Sequence, residues 1–303
     1  MKRLFLIFVF LLMTTHLGWS QQHHALLIGI SDYPSGSGWN KLHSYNDVAI
    51  VKQALNGLNC GFNITEIEDK NATHEGITRA LESLASCVHE GDLCVILFSS
   101  HGQLITDLDE DERVRDYTDH FDEAIVPYDA LIAYDWHHSG YKGQNHLRDD
   151  ELNYLLHEVR NGIGPSGELI VLFDACHSGD MSRAEEDASM MESSPRRGTA
   201  DAFRIPSSEL HQLKSFESRP IGWISISACF STQNNYEVNI DGIWYGRLAY
   251  SFSKVIRRGI TPKELVDEIQ SLYKELPTDP NKPIQIIDYH IPVFTGNAPL
   301  LND

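Results

Sequence analysis

The chain has 303 residues, with 24 Lys and Arg against 43 Asp and Glu. Its net charge of −19 excludes a general nucleic-acid binder, because phosphate contact needs clustered cations. With 42% hydrophobic and 22% charged residues the disordered class is excluded too, and the length allows a core that buries roughly three quarters of the unfolded surface.

Lys2 and Arg3 precede the apolar run Leu4–Met13, followed by Thr14–Ser20 with Gly18 and Ser20 at a cleavage-like spacing. This is the pattern of an export signal over 1–20, too short in apolar residues for the roughly 20 of a spanning helix. The mature chain is then 21–303, exported to a periplasmic or extracellular space, with no membrane association once the signal is gone. Ala25–Ile30 reads as a buried strand that ends in the turn-rich Ser31–Gly38. Val48, Val51, Leu55 and Leu58 recur at helical spacing behind Asn46 and Asp47, which are placed to cap the first turn. Asn63–Glu68 is a second strand, and Ile77, Leu81, Leu84 and Val88 line a second helix. Leu93–Phe98 is a third strand, followed by Ser99-Ser100-His101-Gly102.

An acidic stretch from Asp107 to Glu123 separates this strand from Ala124–Val126, and Asp149–Val159 carries Leu152, Leu155, Leu156 and Val159 on one helical face. Leu169–Phe173 is a fully apolar strand that runs into Asp174-Ala175-Cys176-His177-Ser178-Gly179. Residues 180–220 shift to Ser, Arg, Glu and Pro without periodicity, the composition of a connector loop. Ile221–Ser227 reads as a strand and Leu248–Ile256 as a helix. Thr261, Pro262 and Glu264 form a capping-box start ahead of Leu265, Ile269 and Leu272, and Pro283–Phe294 supplies a closing strand. Strands alternating with amphipathic helices predict an α/β fold with a mainly parallel sheet and helices on both faces, whose function gathers beyond the carboxyl ends of the strands.

Five cysteines, at 60, 87, 94, 176 and 229, form no C-x-x-C pair, so zinc-ribbon and thioredoxin readings fail. Their odd number leaves at least one thiol over. Cys94, inside an apolar run, reads as a buried hydrophobe, and any pairing among Cys60, Cys87, Cys94 and Cys229 stays open. His101 and Cys176 stand apart, because each follows a buried strand where the chain turns toward solvent. If those strands are neighbours, thiol and imidazole face one another, the constellation for acyl transfer by a thiolate. His177 is the rival partner, but as the next residue it points away if strand geometry continues. Residues two apart on a strand share a face, so Asp174 projects beside Cys176 and Ser99 beside His101. A carboxylate next to a nucleophile does not help to form a thiolate; it suits a cationic substrate side chain, which favours cleavage after Arg or Lys.

At these residues the sequence resembles the metacaspases, the Arg- and Lys-directed relatives of caspases in the caspase-like cysteine peptidases. Ser-Ser-His101-Gly102 and Asp174-Ala-Cys176-His-Ser-Gly179 carry the resemblance. Ala25–Asp32, Asn46-Asp47-Val48, Asp122–Pro127, Asp149–Leu152, Ser225–Phe230 and Gly246–Phe252 extend it over most of the mature chain. It implies a caspase-like three-layer sandwich in one peptidase domain, large-subunit-like over about 21–180, a connector over 181–220 and small-subunit-like over 221–303. It also implies a His101–Cys176 dyad, an oxyanion site from backbone N–H groups near Gly102 and Cys176, and an acidic specificity pocket at Ser44, Asp47, Ser99 and Asp174. Many metacaspases need calcium, and the matched acidic positions are Asp122, Asp149 and Asp150, with Asp180 the candidate for a fourth ligand. No organic cofactor is implied.

The run Asp107, Asp109 and Asp111 is no EF-hand, since Glu112 stands where glycine is required and Thr118 where a bidentate acid is required. Arg183, Arg196, Arg197, Arg204 and Lys214 in the connector suit a cation-preferring pocket and are candidates for self-cleavage. His23-His24 and His137-His138 are adjacent pairs rather than metal-gripping i, i+4 pairs. Trp223 and Trp244 either wall the pocket or pack the core. The expected protein is a monomeric, secreted cysteine endopeptidase acting on peptides or proteins with Arg or Lys before the scissile bond. The rival is an inactive homologue that binds a peptide or protein partner in the same pocket; intact His101 and Cys176 argue against it, since an unused reactive thiol is a liability in an oxidising compartment.

Overall fold

The structure is a computed structural model that describes residues 21–108, 121–134, 140–176, 194–199, 201–210, 213–217, 219–230, 233–278, 284–293 and 299–301. The leader 1–20, Asp109, Asp111, Glu112, Thr118, His137, His138, His177, Asp180 and Arg183 lie outside the described residues.

Six strands form the central sheet: β1 (His23–Gly29), β2 (Asn63–Glu68), β3 (Leu93–Ser99), β7 (Glu168–Asp174), β8 (Ile224–Ser227) and β11 (Asp288–His290). Their order is β11-β8-β7-β3-β1-β2, parallel throughout except for the edge strand β11. A three-stranded antiparallel sheet of β4 (Gly102–Thr106), β5 (Phe121–Ile125) and β6 (Leu147–Arg148) flanks the end of β3, and β9 (Glu237–Ile240) forms a ribbon with β10 (Ile243–Gly246).

Helices cover both faces. Ala25, Leu27, Val95, Leu97, Ile170 and Leu172 face the layer of α1 (Ser44–Gly57), α5 (Arg247–Val255) and α6 (Pro262–Glu275). The alternate residues Leu26, Ile28, Cys94, Ile96, Phe98, Leu169 and Val171 face α2 (His74–Cys87) and α3 (Asp149–Ile163). Both sets are buried, which is why these strands read as unbroken apolar runs rather than alternating ones. The short α4 (Ser207–Leu210) completes the α-helices among the described residues. The capping box of α6 forms, with Thr261 Oγ1 accepting from Glu264 N–H and the Glu264 carboxylate accepting from Thr261 N–H.

Three elements depart from expectation. α1 begins at Ser44, and neither Asn46 nor Asp47 caps it: Asn46 Nδ2 donates to Trp244 O at 2.9 Å, and the Asp47 carboxylate is drawn into the buried polar cluster described below. The closing strand is only Asp288–His290, because the stretch before it is bonded by side chains instead of a ladder. Ile286 N–H donates to Gln233 Oε1, and Gln285 clamps Asn235 and Tyr236. β8 starts at Ile224, after Pro220 and Gly222. Of the two tryptophans left open, Trp223 packs in the core and Trp244 stacks on the His43 ring at 6.2 Å.

Candidate active site

Register decides the site. Ser99 at the end of β3 pairs with Gly29 of β1 on one side and with Asp174 of β7 on the other, so the carboxyl ends of three central strands finish level. The chain leaves β1 toward β2 and returns to β3 on the opposite side, and this reversal of strand order opens the crevice expected of such sheets. Two residues beyond the Ser99–Asp174 pair stand His101 and Cys176, both buried at 2% and 1% exposure.

His101 is fixed from three sides. Its ring lies over Trp39 at 4.8 Å and beside Tyr33 at 5.1 Å, and its backbone N–H donates to Tyr33 Oη. Nε2 lies 2.8 Å from Asn40 O, an acceptor only, so Nε2 carries the proton. Nδ1 is buried with no hydrogen-bond partner among the described residues, the free lone pair of a neutral imidazole. Burial is the main reason why its pKa is pulled down to about 4, the Asn40 bond opposing and the Arg197 charge adding to the fall.

Of the connector cations expected to suit the acidic pocket, Arg197 is fully buried, and its guanidinium fills that pocket. Nη1 donates to Ser99 Oγ at 2.7 Å and to Asp174 O at 2.9 Å; Nη2 donates to Asp47 Oδ2 at 2.6 Å and to Glu237 Oε1 at 2.9 Å. The physical reason is charge. Three carboxylates buried together need a cation, and Asp174 Oδ1 lies 3.6 Å from Nη1 as well. Burial, together with repulsion from Asp174 and Glu237, raises the Asp47 pKa to about 7 despite Arg197, whereas the three carboxylates outweigh burial at Arg197 and raise its own. At Glu237 burial pushes upward, but Arg197 and His43 outweigh it and hold the carboxyl below its ordinary range.

Both expected anchoring carboxylates are themselves tied down by the last third of the chain. Gly246 N–H donates to Asp47 Oδ1 at 2.7 Å and Ala249 N–H to Asp174 Oδ2 at 2.8 Å, while Asn235 Nδ2 donates to Asp174 Oδ1. Ser44, the first residue of α1, is fully buried, but its Oγ has no hydrogen-bond partner among the described residues and does not bond Arg197.

The backbone around Arg197 is held in extended form. Arg196 pairs antiparallel with Tyr236, Arg197 N–H donates to Asn235 O, and Glu237 N–H donates to Pro195 O, each bond at 2.9 Å. The Arg197 carbonyl oxygen receives the Cys176 N–H at 2.9 Å and the Gly102 N–H at 3.3 Å, the two donors expected of an oxyanion site. A Cβ on Gly102 would lie 2.2 Å from Cys176 O, so only glycine brings these two donors together. Beyond the Arg197–Gly198 bond the chain continues alongside β4. Gly198 bridges Gly102, and Phe203 bridges Ile105, buried against Tyr141 and His146.

A family model described as the caspase domain matches residues 22–279. The chain belongs to the caspase-domain peptidases. Among similar curated proteins, Metacaspase-1 of Meyerozyma guilliermondii is 25% identical over 277 residues, covering 78% of this chain and 62% of that protein. Metacaspase-1B of Aspergillus terreus is 32% identical over 165 residues, 51% of this chain and 38% of the relative. The chain thus spans less than two thirds of the length of these relatives. Among solved structures, the crystal structure of protein GSU0716 from Geobacter sulfurreducens shares the fold with a TM-score of 0.62 at 20% identity, covering 93% of this chain and 98% of that one.

In this caspase domain, burial raises the pKa of Asp122, one of the positions matched to calcium, to about 7, with the nearby Asp107 and Asp150 adding to the rise and Arg148 opposing it. Asp122 is also ion-paired with Arg148, which donates to Thr106 O at 2.8 Å. Among the described residues no group of three or more His, Cys, Asp or Glu is arranged to hold a metal. Among the described connector cations, Arg197 occupies the pocket; the Arg204 guanidinium lies over the Phe121 ring and the Lys214 ammonium over Phe216.

Glu237, His43, Asn40, Asn235 and Cys229 take part without any local signal in the sequence. Cys229 Sγ donates to Gln233 O at 3.2 Å, the oxygen that also receives Cys176 Sγ at 3.5 Å, and its pKa is raised first by contact with Cys176 and then by burial. None of the five cysteines is in a disulfide.

Proposed function

We propose that the protein is a metacaspase-type cysteine endopeptidase that hydrolyses bonds after Arg or Lys and cuts its own connector between Arg197 and Gly198. One observation carries the reading: Arg197 sits in a pocket of three carboxylates while its carbonyl oxygen accepts both oxyanion N–H groups. Neutral His101 takes the thiol proton on Nδ1. The Cys176 thiolate adds to the Arg197 carbonyl carbon, and negative charge develops on the oxygen between Gly102 N–H and Cys176 N–H. The carbon–nitrogen bond then breaks, the imidazolium returns its proton to the Gly198 nitrogen, and a thioester to Arg197 remains. Water, deprotonated by His101, hydrolyses the thioester and restores the thiol. The Asn40 carbonyl holds the ring in the tautomer this cycle requires. No step is routed through calcium. Export rests on the leader-like pattern of residues 1–20.

The test is the full chain expressed with and without Cys176→Ala and His101→Ala. Intact-mass analysis is expected to find a cut after Arg197 in the wild type and neither variant cut there. Fluorogenic peptides ending in Arg or Lys are expected to turn over, and those ending in Asp to stay intact. Clipping of the Cys176→Ala chain after Arg197 would assign that cut to another protease. A reduced, folded wild type that is uncut and silent toward all three peptides would sink the peptidase reading and favour a peptide-binding homologue.

A further inference from the structure

The pocket holds more than a positive charge. Its acceptors form two pairs, one for each terminal nitrogen of a guanidinium: Ser99 Oγ with Asp174 O at Nη1, and Asp47 Oδ2 with Glu237 Oε1 at Nη2. All four N–H bonds on these nitrogens are thereby used. The geometry points to Glu237 as a specificity-determining residue that makes this pocket select arginine over lysine. The inference rests on the reading of Pro195–Gly198 as a chain bound in the manner of a substrate.

Three facts about Glu237 carry it. First, its carboxylate is held by a residue other than the pocket's occupant: His43 N–H donates to Oε1 at 2.8 Å, and His43 Nδ1 lies 2.6 Å from Oε2. Both contacts come from the residue just ahead of α1, the helix that supplies Asp47, so the two Nη2 acceptors are set relative to each other. Second, Glu237 belongs to β9 and comes from the C-terminal third of the chain, across the pocket from Ser99 and Asp174 at the strand ends. Its backbone N–H donates to Pro195 O, so one residue reads the side chain and the extended backbone of the same ligand. Third, Glu237 is fully buried, so water does not replace a missing cation at no cost.

Lysine fits this arrangement poorly. Ser99 Oγ and Asp47 Oδ2 are joined by a 2.7 Å hydrogen bond, close enough for a single ammonium to serve both. An ammonium placed there is a point charge on a shorter stem and leaves Glu237, on the facing strand, without a cation. Glu237 then keeps its His43 bonds but loses the charge-assisted bond to the substrate, a buried loss that gives discrimination, here about 10- to 100-fold in favour of Arg.

The experiment compares two peptides identical except for Arg or Lys before the scissile bond, on the full chain and on Glu237→Gln. Wild type is expected to prefer Arg at least about tenfold in kcat/KM. In Glu237→Gln, KM for the Arg peptide rises about tenfold or more while the Lys peptide changes by less than about threefold, so the preference collapses. Circular dichroism melts verify that the variant is folded. An independent arm needs no change in the pocket: Arg197→Lys in the otherwise unaltered chain is expected to slow the self-cut about tenfold or more, read by intact mass over time. Wild type cleaving both peptides equally, Glu237→Gln keeping the wild-type ratio, or Arg197→Lys being cut as fast as the parent would each overturn the inference while leaving an Arg/Lys peptidase standing. Failure of wild type to turn over either peptide would instead remove the reading on which it rests.

Discussion

At the scale of single residues, Gly198 tests how closely the cleft grips the far side of the scissile bond. A Cβ there would lie 2.8 Å from Gly102 O and 2.9 Å from Cys176 Cβ, and backbone on one side cannot retreat without spoiling the oxyanion donors. Gly198→Ala is therefore expected to slow self-cleavage by about an order of magnitude while leaving peptides with glycine after Arg unaffected, measured by intact mass and by peptide turnover. His101 gives a prediction in pH. Its folded pKa of about 4 lies below the ordinary 6.5, so between those values the unfolded chain binds a proton that the folded chain refuses. The contribution to stability is complete above pH 6.5 and declines as pH falls toward 4. His146, depressed to about 3 chiefly by burial, acts in the same direction. Asp47 and Asp122, both raised to about 7, act in the opposite direction, so the test is differential: in urea melts of Cys176→Ala at pH 7 and pH 5, adding His101→Gln is expected to shift the pH 5 stability upward relative to pH 7.

Among the elements, α6 carries a local signal that can be tested in isolation from the site. Thr261→Ala removes the acceptor for the Glu264 N–H and half of the reciprocal cap, for a loss of about 1 kcal/mol in chemical denaturation with peptide turnover unchanged. That cap was legible from four consecutive residues. The strand ends bearing His101 and Cys176 were legible as well, because unbroken apolar runs mark strands buried on both faces and the polar motifs follow directly. Asp47 was misread as a cap, since the partners that claim its carboxylate, Ser99, Arg197 and Gly246, lie 52, 150 and 199 residues away. Which of the connector cations enters the pocket is not legible for the same reason: 194–199 has no periodicity of its own and takes its extended form from Asn235, Tyr236 and Glu237. Glu237 stands in a short ribbon whose sequence gives no hint that its first residue faces a pocket built from β3, β7 and α1.

Over the whole molecule, Arg197 is the cation that lets carboxylates from α1, β7 and β9 coexist in one buried space, and so it joins the first two thirds of the chain to the last. Removing it leaves those carboxylates facing one another, and the folded pKa values of Asp47 and Glu237, both lowered by the Arg197 charge, then rise. Stability from such groups is present at low pH and lost as pH rises through the folded values, with Asp47 already near 7 when Arg197 is seated. In a Cys176→Ala background, Arg197→Ala is therefore expected to lower Tm, and to lower it more at pH 8 than at pH 6, as read by calorimetry. A smaller loss at pH 8 would contradict this account of the pocket. The seat of Phe203 has a different consequence. Its backbone is bonded to Leu104 on one side and Thr106 on the other, and its ring is enclosed by Tyr134, Tyr141 and His146. Severing the connector leaves this downstream stump stapled beside β4, so the nicked protein should travel through a sizing column as one particle, with scission and departure of the stump as two separate events in time.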